Sequence, residues 1–287
     1  MLEQQKPQSL QDFLENTAFQ KVKRLIGQSA GLNCSGYRDE YLKRRFEIRL
    51  KATGTNTYAK YILYLNKHPE EFTNLLNDLT INYTTFFRDA DVYQHLEHKL
   101  LPKLFLSKHP LKIWSAGCAS GEEPYSLAIL IHKILGRRLL YQPVTIIASD
   151  IDKDALSKAE RGIYQSRHLS TLDKSIIEQF FTKDGENYAI NDFVKKIIKF
   201  EQFDLMKDPK HCCFDLILCR NVMIYFSKEG QQHIHMNFYR ALRDGGYLIT
   251  GKSEILSGEP AEVFVALDYL TRVYQKPLKQ ATSSIIH

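Results

Sequence analysis

Apolar residues in the first part of the chain recur at the three- and four-residue spacing of helices. Two sets each share a predicted helix face: Leu10, Phe13 and Leu14, and Tyr58, Ile62 and Leu65. No strand-like run interrupts this pattern before Thr80. It predicts a small all-α domain over residues 1–80, followed by a linker over residues 81–95.

From Leu111 onward, apolar runs of strand length alternate with helical patterns. The predicted strands are Leu111–Ala116, Val144–Asp150, Phe214–Cys219, Gly246–Gly251 and Thr271–Gln275, and the predicted helices are Pro124–Leu135, Lys153–Arg161 and Lys228–Leu242. Such alternation predicts an α/β domain over residues 96–287, with a mostly parallel, Rossmann-like sheet. The loops that follow its strands meet at one edge, where ligands bind.

One segment, near residues 163–200, interrupts this alternation. It contains a helical stretch, Asp173–Phe181, then the turn residues Asp184 and Gly185, and the short runs Tyr188–Ile190 and Lys195–Phe200. These features predict an inserted helix with a small antiparallel β-subdomain.

Composition narrows the class of protein. A chain of 287 residues suits two domains, and no apolar run approaches the ~20 residues that span a bilayer. The N-terminus lacks the apolar core of a signal peptide, and the five cysteines have no metal-like spacing. We therefore expect a cytoplasmic protein with no metal site, and we interpret Cys212 and Cys213 as packing residues. A net charge of +6 suits an acidic partner but does not by itself indicate nucleic-acid binding.

The stretch Ile113–Pro124 carries the strongest chemical signal. An apolar strand enters a small-residue loop that opens directly into a helix, as in nucleotide-type pockets. The loop has no phosphate-binding Lys and ends in two carboxylates, which favours a ligand that is cationic or neutral there, such as S-adenosylmethionine. Gly117 would let the backbone approach the ligand closely. Glu122 would accept a hydrogen bond from its ammonium group, or only complement the helix dipole as we expect of Glu123.

Two further acids are candidate ligand contacts. Asp150 ends the predicted second strand, where a carboxylate commonly binds a ribose diol, whereas Asp152 is better suited to cap the next helix. Asp204, followed by Leu205, would accept from an adenine amino group, or it caps a turn.

Polar residues also stand at a later strand end and in the linker. Arg220 and Asn221 follow the strand Phe214–Cys219 at the predicted pocket edge, although Arg220 also suits a structural ion pair. In the linker, two adjacent phenylalanines precede Arg88. This segment either packs over the pocket and delivers a cation to it or is simply a hydrophobic connection.

Together these motifs resemble the CheR family, the protein-glutamate methyltransferases of bacterial chemotaxis. The resemblance covers nearly the whole chain and rests on Asn82–Arg88, Ser115–Ser126, Ala148–Asp152, Gly162–Tyr164, Phe214–Phe226, Gly245–Gly246 and Gly251–Glu254. It implies a helical N-terminal domain and a methyltransferase domain with an inserted β-subdomain. The implied partner is the cytoplasmic helical domain of a chemoreceptor, with no nucleic acid and no membrane insertion, and nothing demands more than a monomer.

The resemblance also implies roles for individual residues. The implied cofactor contacts are Asn82, Thr84, Arg88, Glu122, Asp150, Asp204, Leu205, Arg220 and Asn221. Arg88 and Tyr225 would lie nearest the transferred methyl group, and S-adenosylhomocysteine would be the product. Asp204 stands where relatives often carry Asn, and Lys252 replaces a common His. The loop Lys183–Asn187 is shorter and less glycine-rich than in members that bind a receptor's tethering peptide.

A basic ridge is predicted on the second helical segment. Arg38, Arg45 and Arg49 fall on one face of a helix beside an apolar stripe formed by Leu42, Phe46 and Leu50. Such a ridge is often only a solvated face. The resemblance favours docking of an acidic receptor helix.

The chemistry requires little acid–base machinery. A glutamate side chain with a pKa near ~4.3 is already an anion at neutral pH, so methyl transfer to it needs no general base. Two rival functions stay open at this point. One is a nucleic-acid or small-molecule methyltransferase on the same fold, although Arg220–Met223 is not the Pro-rich, aromatic-ended motif of amino-group methylases. The other is a non-catalytic module that senses S-adenosylmethionine.

Overall fold

The computed structural model describes residues 9–107 and 109–278. These residues divide into two units: one reaches Ile81 and includes Tyr225–Gly230, and the other comprises Asn82–Ile224 and the described residues from Gln231 onward. The first unit is helical. Its long helices are α1 (Leu10–Ala30), α2 (Asp39–Thr53), α3 (Tyr58–Lys67) and α4 (Glu71–Leu79).

The apolar stripe of α2 forms the centre of this unit, as predicted: Leu42, Phe46 and Leu50 are all buried. On α3, Ile62 and Leu65 are buried as well. The first predicted helix is confirmed as α1, but the three apolar residues of its first turns do not form its buried face. Its first turns expose Leu10, Phe13 and Leu14, and its buried face is formed by Phe19, Val22 and Ile26. The later turns are buried because they are the ones that pack on the other helices; for example, the rings of Phe19 and Phe46 lie 5.6 Å apart.

The second unit has ten strands within the described residues. They are β1 (Leu111–Ala116), β2 (Val144–Asp150), β3 (Ile163–Gln165), β4 (Phe181–Asp184), β5 (Asn187–Ile190), β6 (Ile198–Gln202), β7 (Phe214–Cys219), β8 (Leu242–Thr250), β9 (Val265–Asp268) and β10 (Val273–Gln275). The remaining α-helices are α5 (Ala90–His95), α6 (Leu101–Leu104), α7 (Glu122–Leu135), α8 (Lys153–Arg161), α9 (Lys174–Phe180), α10 (Asp192–Lys195), α11 (Lys228–Ala241), whose first three residues belong to the helical unit, and α12 (Glu259–Val263).

Seven strands form the main sheet, in the order β6-β2-β1-β7-β8-β10-β9. The first five in this order pair in parallel, and β10 and β9 close the far edge antiparallel. The predicted bounds of β1, β2 and β7 are confirmed. All six residues of β7 are buried, which is the expected pattern for a central strand covered on both faces.

The inserted β-subdomain is a three-stranded antiparallel sheet in the order β3-β5-β4. The predicted extent of this subdomain was wrong at its end. The run Lys195–Phe200 does not join it; Ile198–Gln202 is instead the edge strand of the main sheet, parallel to β2. One face of this strand packs inward, with the Phe200 ring 5.8 Å from the Tyr125 ring, while Lys199 is exposed. A short apolar run therefore does not distinguish an edge strand of the main sheet from a strand of the inserted β-subdomain.

Two other features of the described residues bear on the sequence analysis. No helix among them is both long enough and apolar enough to span a membrane. Cys212 and Cys213 are both exposed, so their interpretation as packing residues was wrong.

Candidate active site

Two glycines shape the loop between β1 and α7. Gly117 has φ +80°, and a Cβ at this position would lie 2.5 Å from Cγ2 of Val222. Gly121 has φ +95° and would bring a Cβ within 2.8 Å of the Ala159 Cβ. Neither position tolerates a side chain, because the backbone conformation and the space both require glycine. Glycine is therefore required at both positions by packing within the protein, and the close approach of a ligand to Gly117 stays a prediction.

Glu122 begins α7 and is almost fully buried, with 4% of its surface exposed. Its Oε2 accepts a hydrogen bond from the Ser120 hydroxyl at 2.7 Å. Burial raises the pKa of this carboxyl to about 6, so it is ionised at neutral pH. Glu122 also lines a cavity of about 610 Å³ that Asn82 and Thr84 line as well. Three residues predicted to contact the cofactor therefore meet at one cavity.

The carboxylate of Asp150 is fixed at the end of β2. Its two oxygens accept from the backbone N–H of Ala119 at 2.8 Å and of Asp152 at 3.0 Å. Asp152 caps α8 as predicted, accepting from the amides of Asp154 and Ala155. The Nδ2 of Asn82 donates to the other oxygen of Asp152 at 2.6 Å, which ties the start of the second unit to this edge of the sheet.

Asp204 and Leu205 are both buried. The Oδ1 of Asp204 accepts from the Met206 amide at 2.9 Å, so the turn-capping alternative is the arrangement found.

Arg220 adopts the ion-pair alternative. Its side chain is 2% exposed, and its Nη2 contacts Oδ2 of Asp89 at 2.5 Å and the carbonyl of Arg88 at 2.8 Å. Its Nη1 lies 3.6 Å from Oε2 of Glu123. Glu123 is itself buried and accepts from Ser115 at 2.8 Å, so the prediction that it only complements the helix dipole was wrong. Through these contacts Arg220 connects the segment before α5 to the start of α7.

Asn221 is held in a left-handed conformation with φ +61°. Its backbone N–H donates to Oε2 of Glu254 at 2.9 Å, and the same oxygen accepts from the Gly251 amide at 2.6 Å. A Cβ at Gly251 would lie 2.6 Å from that oxygen, so the position requires glycine. The Oδ1 of Asn221 is buried without a hydrogen-bond partner among the described residues, an arrangement that is uncommon for a buried polar atom.

Arg88 is half-buried in the segment that precedes α5. Its Nη1 donates to the Tyr83 carbonyl at 3.3 Å, and its guanidinium lies over the Tyr83 ring at 5.7 Å. This segment is strained, since Phe87 and Asp89 both have positive φ. Ala119 and Asn221 share that feature, so left-handed non-glycine residues occur in three of the loops that carry predicted site residues.

Tyr225 belongs to the helical unit. Its ring packs 4.9 Å from the Tyr41 ring, and its carbonyl accepts from the Arg38 amide at 3.1 Å. Arg45 in turn places its guanidinium 5.4 Å from the Tyr41 ring. Tyr41 therefore lies between Arg45, a predicted docking residue, and Tyr225, a predicted catalytic residue. This role of Tyr41 was not predicted from the sequence.

The predicted basic ridge is not a single surface. Arg38 precedes α2 as its N-cap residue and is exposed, while Arg45 is half-buried. Arg49 points inward: it donates to both carboxylate oxygens of Glu71 at 2.8 Å and to Asp78 at 3.0 Å. Its interpretation as part of an exposed docking ridge was wrong, because helical spacing cannot reveal an acidic partner on another helix.

The roles of Glu254, Glu123 and Asp89 in holding these loops were not predicted from the sequence. A signal existed for Glu254, because the run Gly251–Glu254 directly follows the end of β8. No comparable signal marked Asp89, whose partner Arg220 lies 131 residues away.

Comparison with known proteins identifies the family. Residues 82–269 match the model of the CheR methyltransferase S-adenosylmethionine-binding domain, and residues 17–80 match the CheR all-alpha domain. The chain belongs to the CheR methyltransferase family. The cofactor of this CheR chain is S-adenosylmethionine, and its catalytic class is that of an S-adenosylmethionine-dependent methyltransferase.

Curated relatives cover most of the CheR chain. It is 35% identical over 232 residues to a chemotaxis protein methyltransferase of Listeria monocytogenes, covering 80% of this chain and 87% of the relative. It is 31% identical over 245 residues to one of Borreliella burgdorferi, covering 82% and 87%. A TehB-like methyltransferase structure from Corynebacterium glutamicum shares 15% identity at a TM-score of 0.37 over 65% of this chain and 93% of its own. This similarity is too low to support a conclusion about function.

Proposed function

We propose that this protein transfers the methyl group of S-adenosylmethionine to glutamate carboxylates of chemoreceptors, forming methyl esters in sensory adaptation. The family and the names of the relatives, chemotaxis protein methyltransferases, support this substrate class. The observation that carries the cofactor assignment is the buried carboxylate of Glu122. It lines a cavity, and no salt bridge within the described residues neutralises it.

The residues fit the cofactor. An ionised Glu122 matches its ammonium group, and Asp150, at the end of β2, retains acceptor capacity for ribose hydroxyls. The unpaired Oδ1 of Asn221 and the buried pair Asp204 and Leu205 supply further polar and apolar contacts. In this proposal the backbone of Gly117 contacts the cofactor. Asn82 and Thr84, which line the cavity, contact it from the linker over residues 81–95, together with Arg88. In this proposal Arg220 acts by holding that linker in place.

When bound, the cofactor supplies an electrophilic methyl group on a sulfonium. The glutamate substrate is already ionised, so the protein's task is to orient it for in-line attack. We assign this to Arg88, whose guanidinium orients a carboxylate, and to Tyr225, whose hydroxyl donates to it. No side chain needs to remove a proton.

The partner would be an acidic helical segment of a receptor. Arg38 and Arg45 are the members of the predicted ridge that support docking, together with exposed Lys43 and Arg44 on the same helix. Arg49 is excluded from that role by its ion pairs with Glu71 and Asp78.

The test incubates the full chain with S-adenosylmethionine and a chemoreceptor cytoplasmic fragment, then maps methylation by peptide mass spectrometry. The proposal expects methyl groups on glutamate residues of the receptor helices, and none when those glutamates are replaced by alanine. Methylation confined to other residue types would contradict the assigned substrate. Cofactor binding without any transfer would instead support the sensing module.

A further inference from the structure

Two adjacent thiols occupy the surface of the second unit. Cys212 and Cys213 are exposed, whereas the other three cysteines, Cys34, Cys118 and Cys219, are buried. The two Sγ atoms lie 3.6 Å apart, with the Cys213 thiol donating to the Cys212 sulfur. They precede β7 and lie outside the cavity formed by Asn82, Thr84 and Glu122, so the proposed methyl transfer does not use them.

The fold fixes the geometry of this pair. Cys213 has φ +62°, a conformation that a non-glycine residue rarely adopts without support from its surroundings. That support comes from two cations on the main sheet. Nζ of Lys112 donates to the Cys212 carbonyl at 3.1 Å, and Nη2 of Arg243 donates to the Cys213 carbonyl at 3.2 Å. Both peptide groups are thereby clamped, and the two side chains project together.

The spacing suits chelation better than a disulfide bond. Consecutive Cα atoms lie ~3.8 Å apart, closer than the ~4.4 Å that disulfides normally need, so a bond between these sulfurs would be strained. Two sulfurs bonded to one pyramidal or tetrahedral centre at ~2.3 Å, with bond angles of ~100–110°, stand ~3.5–3.8 Å apart, which matches the 3.6 Å found here. The fitting ligand is therefore an atom that bridges both sulfurs.

The site offers two ligands only. Among the described residues, no group of three or more His, Cys, Asp or Glu side chains is arranged to hold a metal ion. A thiophilic atom that already carries one organic substituent needs only two further bonds. The pair also lines a cavity of about 650 Å³, together with Pro110, Thr145 and Phe200, which leaves room for such a substituent.

We propose that Cys212 and Cys213 form a dithiol site for monosubstituted trivalent arsenicals. With an aryl arsine oxide, two As–S bonds form and the As–O double bond breaks. The two thiol protons leave with that oxygen as water, and arsenic remains trivalent, so no oxidant or reductant is needed.

The experiment uses the full, reduced chain and phenylarsine oxide. Native intact-mass measurement should show one phenylarsenic group per chain. A chromogenic disulfide reagent should detect two rapidly reacting thiols before the addition and none after one equivalent. Excess dithiol should release the adduct, and the same concentration of monothiol should not. Two arsenicals per chain, or a reactive thiol that persists after one equivalent, would overturn the proposal.

Matched variants locate the site. Cys212→Ser and Cys213→Ser should each weaken binding on the order of 100-fold, because the second As–S bond then loses its high effective concentration. Cys34→Ser, which alters a buried thiol, should bind as the parent does. Lys112→Met should weaken binding several-fold. A peptide spanning His211–Asp215 that binds as tightly as the folded chain would show that the fold builds no site and would also overturn the proposal.

Discussion

The ring of Tyr41, on α2, packs 4.9 Å from the ring of Tyr225. The hydroxyl of Tyr41 is committed elsewhere, since it donates to the Leu79 carbonyl at 2.5 Å, and burial raises the pKa of Tyr41 to about 12. Tyr41 therefore supports Tyr225 through its ring and stays protonated at any physiological pH. Tyr225, which we propose to orient the substrate, is thus held by α2, the helix that we propose to bind the receptor.

Removing the Tyr225 hydroxyl should lower turnover while sparing the cofactor. A hydrogen bond to a charged group contributes ~1.5–3 kcal/mol, so Tyr225→Phe should lower kcat roughly tenfold to 100-fold. The dissociation constant for S-adenosylmethionine, measured by calorimetry, should change little. Tyr141→Phe, at an exposed position, is the control. An equal loss of cofactor affinity and rate would refute this role.

Glu122→Gln should raise the stability of the ligand-free protein at high pH, although it removes a proposed cofactor contact. Because burial raises the pKa of Glu122 to about 6, the folded protein holds its proton more tightly than the unfolded chain does. The free energy of unfolding that this tighter proton binding contributes is fully present below about pH 4.5 and is lost as pH rises through about 6. At pH 8 the ligand-free variant should therefore be more stable than the parent by about 1–2 kcal/mol in urea unfolding.

The same substitution should weaken S-adenosylmethionine binding roughly tenfold to 100-fold, because the carboxylate would no longer pair with the ammonium group. In the parent protein, affinity should fall as pH drops through about 6, where Glu122 becomes protonated. Exposed Glu160→Gln provides the control. Unchanged affinity in Glu122→Gln would show that Glu122 only serves the helix.

Glu254→Gln should loosen the loop that carries Arg220 and Asn221. The carboxylate accepts from the amides of Asn221 and Gly251 through one buried oxygen, and loss of such contacts costs ~1–3 kcal/mol. We expect lower unfolding free energy and weaker cofactor binding together. Exposed Glu262→Gln should change neither. A variant with parental affinity and stability would remove Glu254 from this account.

Arg49→Ala should destabilise the helical unit. Its partner Glu71 is 3% exposed and would be left as a buried, unpaired charge, a change that costs ~3–5 kcal/mol when a buried pair is broken. Chemical unfolding of the variant and of Arg44→Ala, which alters an exposed arginine on the same helix, gives the comparison. Similar unfolding midpoints in the two variants would show that the Glu71 pair contributes little.

Arg45→Glu should raise the KM for the receptor fragment and leave the affinity for S-adenosylmethionine unchanged. Its effect should shrink as salt is raised, since Arg45 is only half-buried and a contact between charges at the surface is screened by salt. Arg24→Glu makes the same charge change on α1 at an exposed position and should have little effect. Receptor kinetics that match the parent across the salt range would argue against docking at α2.

The sequence predicted those features that depend on local pattern. The alternation of apolar runs and turns predicted β1, β2 and β7, and the loop after β1 predicted a pocket that fits S-adenosylmethionine. It could not predict features that depend on distant partners. Arg45 and Arg49 share a predicted helix face, yet Arg49 forms ion pairs with Glu71 and Asp78 and so packs against α4. Lys195–Phe200 is a short apolar and basic run that suits a strand of the inserted β-subdomain, and only its pairing with β2 assigns Ile198–Gln202 to the main sheet.

The most direct test of the proposed function is release of base-labile methanol. The full chain would be incubated with methyl-labelled S-adenosylmethionine and a chemoreceptor cytoplasmic fragment, and volatile label would be counted after mild alkali. We expect volatile label that depends on the receptor's glutamates, as a methyl ester requires. Label that is stable to alkali, or that appears equally without those glutamates, would contradict carboxyl methylation of a receptor.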